Sequence, residues 1–173
     1  FTITGLFIIG GLGFSVWMDI KRNRRWKRLT VYSRLMIIGT VLINAVAIIA
    51  IYCIEYNNPN TLAPLSESGK WLAAWFQSVT TRTAGFNTLP INQLEDASTM
   101  LMLVLMLIGG GSLSTASGIK VVTFMVLILA TYSYLRRDNQ IYVFNREISR
   151  ETIRKALALA MVSIMITWLA IFV

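Results

Sequence analysis

Apolar residues dominate four stretches of the chain, residues 1–18, 31–56, 97–135 and 156–173, and short polar segments part them. The second stretch has 26 residues. At ~1.5 Å per residue it reaches about 39 Å as a helix, enough to cross a ~30 Å hydrocarbon core with some tilt. The first stretch reads as the later part of a transmembrane helix, and the last opens a further span. The third is too long for one straight crossing, since a helix of its length would cover about 58 Å. It is also interrupted by Gly109-Gly110-Gly111-Ser112-Leu113-Ser114-Thr115-Ala116-Ser117-Gly118-Ile119-Lys120. Glycine, serine and threonine at that density break or loosen a helix at membrane depth.

Between the second and third stretches the pattern is different. Asn57-Asn58-Pro59-Asn60 is a cluster of turn residues. Ser66 or Ser68 then supplies a helix cap, and residues 71–80 are apolar with helical spacing. That segment is too short to span, which suits a re-entrant half-helix. Its C-terminal end carries partial negative charge and favours a cation at membrane depth. The helix pattern runs into Thr83-Ala84-Gly85-Phe86, and Leu89-Pro90-Ile91-Asn92 forms the exit, with Glu95 and Asp96 beyond. Irregular backbone inside a membrane survives only where it is buried in protein or lines a water-filled cavity. Potassium-channel filters are such backbone, with carbonyl oxygens replacing an ion's hydration shell.

Composition assigns the class. The chain of 173 residues is 55% hydrophobic and 14% charged, with a mean hydropathy of +0.63. A soluble domain has roughly a quarter of its residues charged. An integral membrane protein is therefore expected. The net charge of +8 would suit a nucleic-acid or anionic-lipid partner, and the placement of the basic residues decides against nucleic acid. Lys21, Arg22, Arg24, Arg25, Lys27 and Arg28 form one cluster beside a span, and Arg136, Arg137, Arg146, Arg150, Arg154 and Lys155 form another. By the positive-inside rule both loops are cytoplasmic. Arg34 is expected to snorkel toward the same side. Glu55, Glu67, Glu95 and Asp96 fall on the other side, either raising the cation concentration at a pore mouth or standing as solvated loop charges.

Histidine is absent and Cys53 is the one cysteine, so no disulfide framework or zinc site can be built, and Cys53 is expected to be a small buried hydrophobe. A membrane enzyme would need histidine, paired carboxylates at depth or a metal-ligand cluster, which the sequence lacks. Gly10 and Gly11 are expected to admit a neighbouring helix closely. The spacing of Gly10-Gly11-Leu12-Gly13-Phe14 fails as a nucleotide-binding loop. No basic n-region or cleavage site precedes the first apolar stretch, so no secretory signal is expected. Phe1 and Val173 both stand inside apolar stretches, so a piece of a longer protein is expected.

The string Phe76-Gln-Ser-Val-Thr-Thr-Arg-Thr-Ala-Gly-Phe-Asn-Thr88 resembles the third filter of the Trk/Ktr/HKT superfamily of potassium transporters. Ile108-Gly-Gly-Gly-Ser-Leu-Ser-Thr-Ala-Ser-Gly-Ile-Lys120 is similar to that family's intramembrane loop, and Ile9-Gly-Gly-Leu-Gly-Phe14 resembles the second helix of the preceding repeat. Arg154-Lys155-Ala156-Leu157 fits the start of the next repeat. The resemblance implies an all-α integral membrane fold of span–pore-loop–span repeats, like a potassium channel, with a broken second helix. Residues 1–30 would hold the end of repeat two and a cytoplasmic loop. Residues 31–135 would hold repeat three, with a span at 31–56, a pore helix at 67–80, a filter at 81–88 and the broken helix at 97–135. Residues 136–173 would hold a loop and the first helix of repeat four.

The implied function is potassium uptake across the plasma membrane, with K⁺ as the transported ion and no catalytic residue. Carbonyls of Thr83, Ala84, Gly85 and Phe86 would form a quarter of the ion site, supported by Thr81, Asn87 and Thr88, with the Phe86 ring packed behind the loop. Gly109, Gly110, Gly111, Ser114, Thr115, Gly118 and Lys120 would form a gate beneath it. The resemblance departs at Ser112, Leu113 and Ser117, where proline, glycine and glycine are common, implying a stiffer loop. Implied partners are the other repeats of the polypeptide, a second copy in a homodimer, cytosolic nucleotide-binding regulatory subunits of the RCK type, and membrane lipid. The competing expectation is a secondary transporter, coupled to sodium or protons, with a broken-helix site at the midplane.

Overall fold

The structure, a computed structural model, describes residues 2–81, 85–111, 118–136, 142–144 and 146–172. Seven helices carry it: α1 Thr2–Gly11, α2 Phe14–Arg22, α3 Val31–Glu55, α4 Glu67–Thr80, α5 Asp96–Leu107, α6 Val121–Leu135 and α7 Arg150–Phe172. Two short ladders qualify the all-α expectation. β1 Ile108–Gly109 pairs in parallel with β2 Ile119–Lys120, and β3 Tyr142–Val143 pairs antiparallel with β4 Arg146–Glu147. Each ladder has only two residues per strand, so they close loops and do not form a sheet layer.

The central helix is α3. Its 25 residues begin at a Thr30 cap, whose hydroxyl accepts from the Ser33 N–H. Along it, Leu35, Met36, Gly39, Ile43, Ala47, Ile51 and Glu55 are buried, a stripe at helical spacing that faces α2, α4, α5 and α6. Val16, Leu35, Met36, Val121 and Met125 form the heart of the core. At Gly39 an added Cβ would stand 2.7 Å from Val121 Cγ1, so the α3–α6 crossing depends on a small residue there. The outer face of α3 is apolar too, with Val41, Leu42, Val46 and Ile49 exposed. A helix apolar on every side suits the core of a large protein or a membrane span. By length and composition α3 and α7 can each cross one.

Three features differ from the sequence pattern. The first apolar stretch is not one helix, because α1 and α2 meet at a bend of 87° centred on Leu12 and Gly13. Gly13 has φ +82°, a conformation that side chains with a Cβ rarely adopt. A Cβ at Gly10 or Gly11 would meet nothing within 4 Å, so no close helix approach is made there among the described residues. Second, the last helix starts at Arg150, six residues before the apolar stretch, because the Ser149 hydroxyl accepts from the Thr152 N–H at 3.3 Å and starts it early. Third, Cys53 is exposed on α3, since the buried stripe passes through Ile51 and Glu55 instead.

Arg34, half-buried near the start of α3, reaches to the basic loop before it. Its guanidinium donates to the Lys27 carbonyl and lies 5.3 Å from the Phe144 ring centroid. Asp19 fixes the same basic loop, accepting from the Thr30 N–H at 2.9 Å, the Thr30 hydroxyl at 2.8 Å and Asn23 Nδ2 at 2.9 Å.

Candidate functional site

The segment after α3 is built around α4. The Ser66 hydroxyl accepts from the Gly69 N–H and starts the helix. Ala73, Ala74, Gln77, Ser78, Val79 and Thr80 are buried, packed between α3 and α1, and Trp75 Nε1 donates to the Thr4 hydroxyl at 3.1 Å. A 14-residue helix covers about 21 Å, less than a bilayer core. Its last turn leaves backbone carbonyls without helical partners. Hydroxyls take two of the carbonyls near that end: Ser78 Oγ donates to the Trp75 carbonyl at 2.9 Å and Thr81 Oγ1 to the Ser78 carbonyl at 2.8 Å.

Phe86 is tied back to the last turn of α4, where Thr80 Oγ1 donates to the Phe86 carbonyl. Gly85, beside it, has φ +73° and nothing near a would-be Cβ. Thr83 and Ala84 lie outside the described residues. Phe86 is exposed, and its ring meets the Phe7 ring of α1 at 5.9 Å between centroids. The residues it was expected to pack behind include 82–84, outside the described residues; the ring contact that is described is with α1. Asn87 and Thr88 are exposed and make no side-chain hydrogen bond among the described residues.

The acidic residues near this site have distinct settings. Glu67 pairs with Lys70 at 3.1 Å and accepts from the hydroxyls of Tyr52 and Tyr56. The Tyr52 hydroxyl, then Lys70, hold its carboxyl below the usual carboxylate range. Lys70 also sits 4.0 Å from the Tyr56 ring centroid. Glu95 and Asp96 are exposed at the start of α5. Glu55 is fully buried and accepts from Asn58, Thr61 and the Glu95 N–H, so it is no solvated loop charge. Sequence reasoning grouped it with Glu67, Glu95 and Asp96 as a pore-mouth or solvated loop charge. The one available hint was the nearby Asn58 and Thr61, whose polar groups suit a buried acceptor.

The glycine-rich break lies between α5 and α6, and backbone bonds close its neck. Ile108 pairs with Ile119 and Gly109 with Lys120, and the Val121 N–H donates to the Gly110 carbonyl at 3.4 Å. The Gly111 N–H reaches the Gly11 carbonyl at 2.8 Å, where α1 ends. A Cβ on Gly111 would overlap the Leu12 carbonyl, so the break in the third stretch is seated on the break in the first. Gly118 has φ +90° and sits against the Leu107 carbonyl. Lys120 is half-buried and immediately precedes α6. Ser114 and Thr115, with the departing Ser112, Leu113 and Ser117, lie outside the described residues. Together these contacts return partners to backbone groups that a broken helix would otherwise leave exposed.

Among the described residues no group of three histidine, cysteine or acidic side chains converges to hold a metal. The arrangement does place the C-terminus of α4, a bond from it to Phe86, and the ladder between α5 and α6 in one unit. A family model described as TrkH, cation transport protein, matches residues 1–173. The chain is 44% identical over 170 residues to the Ktr system potassium uptake protein B of Bacillus subtilis, covering 98% of this chain and 38% of that protein. It is 43% identical to the protein of the same name from Vibrio alginolyticus, covering 99% and 38%. A potassium/sodium uptake protein NtpJ of Enterococcus hirae is 33% identical, covering 99% and 38%. The chain thus spans about 38% of the length of these curated relatives. The crystal structure of the potassium transporter TrkH from Vibrio parahaemolyticus superposes with a TM-score of 0.67 at 19% identity, covering 90% of this chain and 34% of that one.

Proposed function

The chain belongs to the TrkH family of cation transport proteins, and from that membership we propose that it forms part of the ion-conducting subunit of a plasma-membrane potassium uptake system. The observation that carries the reading is the end of α4, where Thr80 ties the Phe86 carbonyl back over a helix C-terminus and Gly85 takes φ +73°. In this reading α3 is a span, α4 with residues 81–95 is a re-entrant pore loop, and α5 with α6 is one broken crossing.

K⁺ is the cargo. Selectivity arises when carbonyl oxygens replace its hydration shell. Thr83, Ala84, Gly85 and Phe86 supply one quarter of those oxygens, and the other repeats of the longer polypeptide supply the rest. A carbonyl oxygen has two lone pairs. The Phe86 oxygen therefore accepts the Thr80 hydroxyl and still faces an ion, and the bond fixes its direction. Thr81 anchors the start of the loop through Ser78, while Asn87 and Thr88 stand at its outer side. The partial negative charge at the end of α4 attracts the cation.

The gate is the segment from Gly109 to Lys120. Seated on the α1–α2 break it blocks the path below the filter, and Lys120 repels cations while it stays there. The basic loops, residues 21–28 and 136–155, face the cytosol, where they meet anionic lipid and a ring of RCK-type nucleotide-binding subunits beneath a homodimer. Names of relatives support potassium as cargo, and one of them includes sodium. No specific observation favours a coupled secondary transporter of another cation.

The test is Gly85→Ser in the full-length transporter. A side chain in the left-handed region costs about 1–2 kcal/mol, a factor of roughly 5–30 in the population of the native loop. Potassium selectivity over sodium is expected to fall by a factor of that order. Unchanged uptake and selectivity would remove the filter role.

A further inference from the structure

One carboxylate stands apart from the pore loop in sequence yet touches both of its ends. Glu55, the last residue of α3, is 0% exposed. Its Oε2 accepts from Asn58 Nδ2 at 2.7 Å and from the Thr61 hydroxyl at 2.6 Å. Its Oε1 accepts from the backbone N–H of Glu95, 40 positions further along, at 2.9 Å. Asn58 Nδ2 also donates to the Gln93 carbonyl at 2.9 Å, and Asn58 Oδ1 accepts from the Asn60 N–H at 3.0 Å. The segment that enters the pore loop and the segment that leaves it are therefore tied to one another through Glu55 and Asn58. A small apolar cluster joins them again: Leu62 from the entry, Ala73 from α4 and Leu89 from the exit pack together, with Leu94 against them.

We propose that the Glu55 carboxylate is a positioning group for the ion filter, the fixed point that sets the spacing between the two limbs of the pore loop. This rests on the filter reading above. The chemistry of the site requires a carboxylate. Three donors converge on it, and an ionised carboxylate is acceptor-only with room for all of them. A glutamine at the same place would turn its own NH₂ toward a donor and lose a bond. Among the described residues no basic side chain pairs with Glu55. The charge is held by hydrogen bonds alone, each charge-assisted and hence strong and directional. Residues 67–88, which hold α4 and the filter loop, run between these anchored limbs, so a shift of the clasp is passed to the filter oxygens. Thr80, which aims the Phe86 carbonyl, belongs to the same helix as the clustered Ala73.

The experiment uses the full-length transporter in membranes. It measures rubidium uptake per inserted protein, its KM, its maximal rate, and sodium competition. Thr61→Val removes one donor with little change of volume, Thr61→Ser keeps the hydroxyl, and Glu55→Gln removes the charge and one acceptor. Losing a hydrogen bond to a charged group corresponds to about tenfold in an equilibrium. Glu55→Gln is expected to weaken discrimination against sodium by about that factor. Thr61→Val is expected to weaken it in the same direction, and Thr61→Ser to restore it. Asn57→Ala, exposed beside the clasp, serves as the unaffected neighbour. Should Glu55→Gln fail to accumulate in the membrane, Thr61→Val against Thr61→Ser decides alone. Wild-type KM and selectivity in inserted Thr61→Val would overturn the proposal, as would a loss confined to protein abundance. Gly85→Ser in the same assay separates the two claims. If it changes selectivity while the clasp variants do not, only the clasp fails; if it too is silent, the filter reading falls with it.

Discussion

The chain leaves its helical pattern once after α4 and once between α5 and α6, and the two interruptions are held by different chemistry. The outer one is fastened by side chains. Glu55, Asn58 and Thr61 clasp its limbs, Thr80 and Thr81 bond its start, and Leu62, Ala73 and Leu89 pack beneath. The described part of the inner one is fastened by backbone. A two-residue ladder, the Gly111 bond to Gly11 and the Val121 bond to Gly110 hold it, with glycines where the chains touch. Buried side-chain networks act cooperatively and are costly to open. A few backbone bonds over a glycine seat are separated at lower cost and leave no charged group stranded. Under the proposed function, the difference suits a rigid ion site at the first interruption and a movable barrier at the second.

The comparison breaks most visibly at Gly111. In Gly111→Ala the new Cβ meets the Leu12 carbonyl, a backbone atom that cannot turn away. Overpacking of that kind costs about 1–3 kcal/mol, or roughly 5–150-fold in the ratio of seated to unseated loop. Rubidium flux per inserted transporter is expected to rise by a factor within that range, with selectivity unchanged. A fall in flux at normal membrane abundance would show that the seat supports conduction and does not block it. The smallest effect is at the far end of α4. Ser66→Ala removes the cap bond to Gly69, worth about 1 kcal/mol. The purified full-length transporter is expected to unfold at slightly lower temperature with unaltered selectivity, because the cap lies at the opposite end of the helix from Gly85. A selectivity change in this variant would mean that the outer loop is less firmly clasped than the side-chain network implies.

Much of this architecture was legible in the residues. The apolar length of α3, the Ser66 cap and the polar, glycine-rich interruption before Lys120 are local signals, and local physics reads them. What escaped is tertiary. A glutamate ending an apolar helix has the same local pattern whether it faces water or a buried cage, and only the return of Glu95 and Thr61 makes the cage. The 87° bend at Leu12–Gly13 is likewise invisible beside two neighbouring glycines that stay helical. The seating of Gly111 on that bend joins segments about a hundred residues apart. The early start of α7 was readable from Ser149, but its charged first turns resemble a loop. The contact of Phe86 with Phe7 joins residues far apart in the chain, and no local pattern marks it.

The central claim is that this chain contributes a potassium filter, and growth of potassium-requiring cells carrying the full-length transporter tests it most directly. Rubidium uptake is followed with potassium and sodium as competitors. Growth at low external potassium, with uptake suppressed by potassium far more than by sodium, is the predicted result. Absence of rescue from a well-expressed, membrane-inserted transporter, or equal competition by sodium, would contradict it.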